Sequence, residues 1–290
     1  MSVTLPTEQV TDTQLAKYAD LIYDRTGIRI SSQKKTLLSN RLRRRLRATG
    51  IVGYDEYLTK IKTLKKDDPE WTAFLQEITT HESYLFRDIS QWDWLRNKFV
   101  PAIAEAAREG KRKKTLRVWS AACSTGDEPY TIASCLLDKL PDASQWTIDI
   151  LGTDLGMGAL EHAKEGVYSK RAMQGVPESY KRRFFSPIKG TEEWSVKPVL
   201  QELVRFKHHN LLDPLREMPF DLVFVKNVLI YFDKDSKIQV LKHVIDQLAP
   251  GAMLVTGPAE GTSDLLKDLE RHQGWLHEKP DTRSSARGKK

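Results

Sequence analysis

Residues 118–130 read VWSAACSTGDEPY: an apolar strand end, a run of small residues and the start of a helix. Small side chains let the backbone approach a bulky ligand, and the first turn of the helix presents unpaired N–H groups. The run lacks both the glycine spacing of a dinucleotide-binding loop and the lysine of a phosphate-binding loop. Asp127 and Glu128 would repel a pyrophosphate but attract an ammonium or sulfonium group. We therefore expect a nucleotide-like ligand without phosphates.

Apolar runs on either side of this stretch predict a parallel sheet. LRVW (116–119) precedes it, IDILGTD (148–154) follows and ends on Asp154, and DLVFV (221–225) and AMLVT (252–256) come later. Strands alternating with helices indicate a sheet covered on both faces, with ligands beyond the carboxyl ends of its strands. Asp154 stands where such folds place a carboxylate for both ribose hydroxyls. The residues alone leave two other interpretations open, namely a turn that serves only helix–sheet packing and an Asp154 that is only a helix N-cap.

Three further regions surround the predicted sheet. Residues 1–88 are predicted to form a helical domain with a linker. Apolar residues have helical spacing over 14–26, over a second helix that Ser31 or Ser32 caps and Gly50 ends, and over 54–64 and 69–79. Residues 89–275 form the α/β domain, and the alternating stretches WSVKPVL and LVRF predict a small antiparallel hairpin inserted at about 186–207. Residues 276–290 are basic and are predicted to be a disordered tail.

The composition narrows the class of protein without naming a partner. The net charge of +7 would attract nucleic acid, anionic lipid or an acidic protein surface. No apolar run is long enough to span a bilayer, and the start lacks the features of a signal peptide, so we expect a cytoplasmic protein without membrane insertion. The two cysteines, Cys123 and Cys135, are expected to be reduced packing residues. No metal is implied, because His208, His209 and His243 lack ligand companions at useful spacing.

Five segments resemble the CheR family of chemotaxis receptor methyltransferases, in the same order and with compatible spacing. They are TTHESYLFRD (79–88), VWSAACSTGDEPYTIA (118–133), GTDLG (152–156), NLL (210–212) and FDLVFVKNVLIYFD (220–233). The resemblance implies a Rossmann-like class I S-adenosylmethionine methyltransferase sheet with an N-terminal helical domain and a small inserted antiparallel β subdomain. It also implies a protein-glutamate O-methyltransferase that esterifies glutamates on cytoplasmic helices of a chemoreceptor for sensory adaptation, with S-adenosylhomocysteine as product.

The resemblance also implies roles for individual residues. The methionine end of the cofactor is expected near His81, Ser83 and Arg87, its ammonium at Glu128 and its ribose at Asp154. The adenine is expected between Asn210 and Leu211, and the methyl group beside Asn227 and Val228. The residues expected to hold the substrate carboxylate are Arg87 and Tyr231.

Departures from the family pattern bear on activity more than on cofactor binding. Family members often carry Asn at His81, Arg at Lys226 and His-Ser at Pro258-Ala259. His81 can still donate a hydrogen bond and Lys226 keeps its charge, so we expect cofactor binding to be retained.

The Arg-rich run 41–47 is expected to dock the acidic receptor helices through Arg41, Arg44 and Arg45, since charges so dense repel one another unless a partner relieves them. Its plainer interpretation is a solvated helix face. In some relatives the inserted hairpin binds a receptor C-terminal peptide as a tether; the shorter turn at Lys189–Glu193 predicts that this chain needs none.

Two other functions remain open from the sequence. A nucleic-acid methyltransferase would suit the positive charge, but the strand-end motif of amino-directed base methylases is replaced by KNVLIYF (226–232). A non-catalytic cofactor-binding signalling module would suit the departures at His81 and at the final strand.

Overall fold

The computed structural model describes residues 6–65, 68–80 and 82–281. Its N-terminal region contains four helices where the apolar spacing predicts them. They are α1 (Asp12–Thr26), α2 (Lys35–Thr49), α3 (Tyr54–Thr63) and α4 (Pro69–Ile78). Thr11 and Gln14 form a reciprocal capping box at the start of α1, and Gly27, at φ 72°, ends it in the left-handed conformation.

The four helices close around their own apolar core. Leu38, Leu42 and Leu46 of α2 recur every fourth residue and are all buried, as are Tyr18 of α1 and Phe74 of α4. This spacing turns one face of α2 inward. The arginines between the leucines are therefore distributed over the other faces of the helix.

The remaining elements build the α/β region. The helices are α5 (Ile89–Trp94), α6 (Val100–Arg108), α7 (Asp127–Lys139), α8 (Met157–Glu165), α9 (Glu178–Phe184), α10 (Pro198–Gln201) and α11 (Lys234–Asp246). The strands are β1 (Thr115–Ala121), β2 (Thr147–Asp154), β3 (Val167–Ser169), β4 (Phe185–Pro187), β5 (Glu193–Val196), β6 (Val204–His208), β7 (Phe220–Val225), β8 (Leu248–Thr256), β9 (Glu270–Gln273) and β10 (Leu276–Glu278).

Seven strands form the main sheet in the order β6-β2-β1-β7-β8-β10-β9. The pairs β6–β2, β2–β1, β1–β7 and β7–β8 are parallel, and β10 pairs antiparallel with both β8 and β9. Strand order reverses between β1 and β7, so the crevice beyond their carboxyl ends is where such a sheet binds a ligand. The Rossmann-like sheet with an N-terminal helical region, expected from the sequence, is confirmed.

The inserted antiparallel unit is present, but one predicted strand belongs elsewhere. It is a separate three-stranded sheet in the order β3-β5-β4. The stretch LVRF was predicted to belong to this hairpin, and that is wrong: it contributes to β6, which pairs parallel with β2 from Ile150 to Asp154. Its half-buried, alternating pattern is that of an edge strand, which sequence periodicity does not distinguish from a hairpin strand.

The predicted disordered tail at 276–290 also begins too early. Leu276 is buried against the sheet and pairs with Val255 of β8, so residues 276–278 complete the main sheet. Residues 282–290 lie outside the described residues.

The N-terminal helical region packs directly on the loop that follows β7. Arg29 donates its backbone N–H to the carbonyl of Tyr231 at 2.9 Å, and Ile28 forms a β-bridge with Phe232. Asp233 accepts hydrogen bonds from the Tyr23 hydroxyl at 2.8 Å and from the Arg29 guanidinium at 2.8 and 3.0 Å. Through these contacts the helical region forms a wall of the crevice.

Candidate functional site

A cavity of about 790 Å³ lies beyond the carboxyl ends of β1, β2 and β7 and beneath the N-terminal helices. It brings together residues that are far apart in the sequence. The predicted site residues that line it are Arg41, Ser83, Arg87, Glu128, Asp154, Asn210, Leu211, Asn227, Val228 and Tyr231. His81 lies outside the described residues, and Arg44 and Arg45 do not line the cavity.

The turn after β1 brings backbone close to this cavity. Ala122 and Ser124 adopt positive φ of 59° and 51°, an unusual conformation for residues with side chains, and both line the cavity. Gly126 has φ 83°, and a Cβ there would lie 2.8 Å from Cβ of Ala163. Tight packing of the turn thus explains Gly126, whereas the earlier small residues leave space for a ligand.

Asp154 is fixed at the end of β2 by the same turn. Its Oδ2 accepts the N–H of Ser124 and its Oδ1 that of Gly156, each at 2.8 Å. Helix α8 has Gly156 as its N-cap, so Asp154 is not a cap. The carboxylate is held in one orientation at the cavity wall.

Only one of the two acidic residues at the start of α7 faces the cavity. Asp127 is 1% exposed and accepts the Thr125 hydroxyl at 2.6 Å, and burial raises the pKa of its carboxyl. Asp127 therefore does not serve the ligand as its position next to Glu128 suggested. Glu128 lines the cavity and accepts the Ser120 hydroxyl at 2.7 Å.

A buried cation beside Glu128 is the main contact that sequence reasoning missed. The Lys226 ammonium lies 3.4 Å from Oε2 of Glu128 and 3.3 Å from Oδ2 of Asp88, and its side chain is 3% exposed. It also lies 4.8 Å from the centroid of a Trp92 ring. The signal available in the sequence was a charged residue directly after a fully apolar strand, which is unusual for a buried position.

A second buried charged residue, Glu260, fixes the loop that follows β7. Glu260 is 1% exposed, and its Oε2 accepts the N–H of Ile230 at 3.0 Å. Burial raises the pKa of Glu260, and the nearby backbone N–H groups of 227–230 oppose that rise. Asn227 adopts a positive φ of 57° in this loop.

One departure from the family pattern lies outside the cavity. Pro258 and Ala259 are exposed and do not line it, so they do not alter its wall.

His209 is a further cavity residue that the sequence did not single out. It precedes Asn210, and its N–H donates to the Asp154 carbonyl at 3.0 Å. Burial lowers the pKa of its imidazole from 6.5 to about 4, so the ring is neutral near pH 7. Asn210 itself donates its side-chain amide to the Arg25 carbonyl at 2.8 Å. The helical region therefore contributes directly to this end of the cavity.

Ser83 and Arg87 line the cavity from the linker, the segment between α4 and α5. Phe86 donates its N–H to the Thr131 hydroxyl at 3.1 Å, and Trp92 donates its indole N–H to the Arg87 carbonyl at 2.6 Å. The Arg87 guanidinium lies 5.7 Å from the centroid of the Tyr84 ring. The backbone of the linker is thus fixed while the guanidinium remains at the cavity.

Two arginines of α2, Arg44 and Arg45, form ion pairs with acidic residues of this chain. Arg45 donates two hydrogen bonds to Glu70 of α4, at 3.1 and 2.6 Å, and both side chains are about 15% exposed. The charge of Arg45 is therefore neutralised inside the helical region, and its docking role stays a prediction. Arg41 donates to the Ile78 carbonyl and the Thr80 hydroxyl, and Arg44 pairs with Glu77 at 2.6 Å while remaining 53% exposed.

Two other findings concern regions outside the cavity. No helix among residues 6–65, 68–80 and 82–281 is long and apolar enough to cross a membrane. At the C-terminal hairpin, ligand atoms of Glu270, His272 and Glu278 lie within 4.8 Å of one another. His272 already contacts Glu278 at 2.8 Å, and this surface cluster is remote from the cavity lining.

The donor set of the cavity fits S-adenosylmethionine. Asp154 is fixed where a ribose diol can donate to it, and Glu128 offers a carboxylate to an ammonium group. Lys226, beside Glu128, is already paired with two carboxylates, so its ammonium is not free to bind a phosphate. A cationic nucleoside without phosphates is the ligand that these groups suit.

Comparisons with known proteins agree with this geometry. The family model described as CheR methyltransferase, SAM binding domain, matches residues 81–274, and CheR methyltransferase, all-alpha domain, matches residues 13–79. The chemotaxis protein methyltransferase of Salmonella typhimurium is 34% identical over 266 residues, which cover 90% of this chain and 88% of the relative. That of Escherichia coli is 32% identical over 262 residues, with 88% and 87% covered. Among solved structures, the glycopeptide N-methyltransferase MtfA with S-adenosyl-L-methionine aligns over 61% of this chain and 57% of its own at 12% identity, with a TM-score of 0.31, which is too low to carry an argument.

Proposed function

This chain belongs to the CheR methyltransferase family, and we propose that it esterifies glutamate side chains on the cytoplasmic helices of a chemoreceptor. It is an S-adenosylmethionine-dependent methyltransferase of chemotaxis. The proposal adds the acceptor group and the residues that hold it. The observation that carries the proposal is one cavity with the carboxylates of Glu128 and Asp154 and the guanidinium of Arg87 in its lining, so that a cationic donor and an anionic acceptor each have a counter-charge.

Residues from five parts of the chain would orient the cofactor, namely the end of β2, the start of α7, the loop after β6, the linker and the loop after β7. Asp154 accepts from the ribose hydroxyls, Glu128 from the methionine ammonium, and Asn210 and Leu211 flank the adenine. Ser83 and Arg87 of the linker would hold the methionine end, where the family resemblance also predicts His81. Asn227 and Val228 lie beside the methyl group. The support is that all of these except His81, which lies outside the described residues, line one cavity, and that Asp154 and Asn210 are held by hydrogen bonds.

Methyl transfer requires mainly that the protein align the acceptor carboxylate with the methyl group. S-adenosylmethionine, when bound, supplies an electrophilic methyl group. A glutamate is ionised near pH 7, so no residue of this chain needs to remove a proton from the acceptor. Arg87 and Tyr231 hold the acceptor carboxylate, because a guanidinium fork fixes the plane of a carboxylate and a phenol can donate to it. Enclosure between the linker and the loop after β7 excludes water, so positioning supplies most of the rate.

The partner surface extends from the cavity along α2. Arg44 is 53% exposed, and Arg47, one turn further, is exposed with no ion pair to the described residues. We assign the docking of acidic receptor helices to Arg41, Arg44 and Arg47, with Arg41 also holding the linker. An enzyme that acts on cytoplasmic helices works in the cytoplasm, and its two free buried cysteines suit a reducing compartment.

The inserted sheet gives reasons for action without a tether. The edge strand β4 has three residues, one of which, Pro187, has no N–H to pair with an added peptide strand. Titration of the purified protein with a receptor C-terminal pentapeptide is expected to show no micromolar binding. Saturable micromolar binding would mean that the insert does act as a tether.

One experiment separates the proposed acceptor from the two other functions. The protein is incubated with radiolabelled S-adenosylmethionine and a chemoreceptor cytoplasmic fragment, and the label is then tested for release by base. Base-labile label on the receptor is expected, since it is the property of a carboxyl ester. Stable label on added nucleic acid would support a nucleic-acid methyltransferase, and cofactor binding without transfer would support a signalling module.

A further inference from the structure

Three exposed apolar side chains stand at the rim of the cavity. Among the described residues eight large hydrophobic side chains are strongly exposed, and Leu37, Tyr84 and Ile230 also line the cavity, at 43%, 43% and 46% exposure. They come from α2, from the linker and from the loop after β7. Single exposed apolar residues are ordinary on any surface, but three from separate elements at one opening indicate a contact surface. We call Leu37, Tyr84 and Ile230 the mouth collar.

Cations line the cavity together with the mouth collar. Leu37 lies on α2 between Lys34 and Arg41, at spacings of three and four residues that place all three side chains on one face, and all three line the cavity. The Lys34 ammonium lies 5.3 Å from the centroid of the Tyr231 ring, which adjoins Ile230 in sequence. The Arg87 guanidinium lies 5.7 Å from the Tyr84 ring. The opening is therefore apolar and positively charged at once.

Resting on the proposed function, we infer that the mouth collar contacts apolar side chains flanking the acceptor carboxylate on an amphipathic receptor helix. A helix places residues three and four apart about 5–6 Å from each other on one face. A carboxylate that enters the cavity therefore carries its neighbours one turn away over the rim. A helix acidic on all sides would satisfy only the cations and leave the mouth collar in water.

The inference specifies how the enzyme selects among acidic side chains. Arg44 and Arg47 attract any acidic surface at long range, whereas the mouth collar acts only at contact. Glutamates with apolar neighbours one turn away are then methylated in preference to glutamates on a uniformly acidic face. Tyr84 and Ile230 belong to the segments that contain Arg87 and Tyr231, so this contact is made next to the acceptor.

The test compares two matched double variants in methylation of a receptor cytoplasmic fragment. L37S/I230S removes two members of the mouth collar, and V52S/I238S removes two side chains of similar exposure, 50% and 46%, that do not line the cavity. We expect the first variant to raise KM for the fragment about tenfold, the effect of losing one well-buried apolar contact. The control is expected to keep the KM of the unmodified protein. The Kd for S-adenosylhomocysteine is expected to be unchanged in both.

The other outcomes would contradict either this inference or the proposed function. Equal KM values for the two double variants would overturn the inference. A change of oligomeric state in L37S/I230S, with KM unchanged, would make the mouth collar a contact between copies of this chain and would also overturn it. Failure of the unmodified protein to label the fragment at all would instead overturn the proposed function, so the two failures are distinguishable.

Discussion

Lys226 is the residue on which the arrangement of charges in the cavity depends. Its ammonium is buried between the carboxylates of Asp88 and Glu128, which come from the linker and from α7. Without it, two carboxylates would stand close together with no counter-charge. Breaking a buried ion pair by removing one partner costs about 3–5 kcal/mol, since a charge is left unmatched.

We therefore predict opposite outcomes for two substitutions of Lys226. K226M is expected to lower the free energy of unfolding by about 3 kcal/mol and to weaken binding of S-adenosylhomocysteine, because Glu128 loses the contact that orients it. K226R keeps the charge and is expected to retain most of the affinity. Urea unfolding and calorimetric titration measure the two effects. An unchanged Kd in K226M would show that Lys226 does not position Glu128.

His209 predicts a pH dependence of stability. Its pKa is about 4 in the folded protein and 6.5 in the unfolded chain, so between these values the unfolded state binds more protons. The stability from the neutral ring is full above pH 6.5 and is lost as the pH falls toward 4. Relative to H209Q, the unmodified protein is expected to lose more stability on acidification through this window. Parallel unfolding free energies for the two proteins across the window would contradict this.

The sequence indicated the carboxylates at the carboxyl ends of the strands, but not the residues whose role depends on contact with a distant partner. Asp154 ends the strand β2, and Glu128 begins the helix after the turn that follows β1, so the topology of a parallel sheet indicates their position. Arg45 has the same local pattern as Arg44, and only the packing of α4 distinguishes them, because Glu70 lies opposite Arg45. Lys226 and Glu260 likewise depend on partners far away in the chain, which a single sequence does not reveal.

Helix α2 combines an apolar core face with two kinds of arginine. Arg45 is internal and stabilises the contact with α4, whereas Arg44 and Arg47 are exposed. The spacing of apolar residues in the sequence predicted this helix correctly. Strand β6 was predicted as part of the inserted hairpin, and β9 and β10 were not predicted, since none of these short strands has a long apolar run.

The two kinds of arginine give different predicted phenotypes. R44A/R47A is expected to raise KM for a receptor fragment several-fold at low salt, with a smaller effect at high salt because exposed charges are screened. The same variant is expected to leave the Kd for S-adenosylhomocysteine and the thermal stability unchanged. R45A, the matched control on the same helix, is expected to destabilise the helical region instead. Full receptor methylation by R44A/R47A at low salt would exclude docking through this face.

The whole molecule encloses the cofactor cavity between its helical and α/β regions. Asn210 is held by the Arg25 carbonyl, and the loop after β7 is held by Arg29 through Tyr231 and Asp233. The apolar pattern predicted each region separately but not their contact, because the residues that join them are polar and isolated in the sequence. The surface that we propose meets the receptor is therefore continuous with the cavity that we propose holds the cofactor.

Peptide mass spectrometry of the receptor is the most direct test of glutamate esterification by this protein. The receptor cytoplasmic fragment is incubated with this protein and S-adenosylmethionine, and its peptides are sequenced. We predict a gain of one methylene on glutamate side chains along the helices, absent from a reaction with the R87A variant. Methylation of another residue type, or no gain while the protein binds S-adenosylhomocysteine, would contradict it.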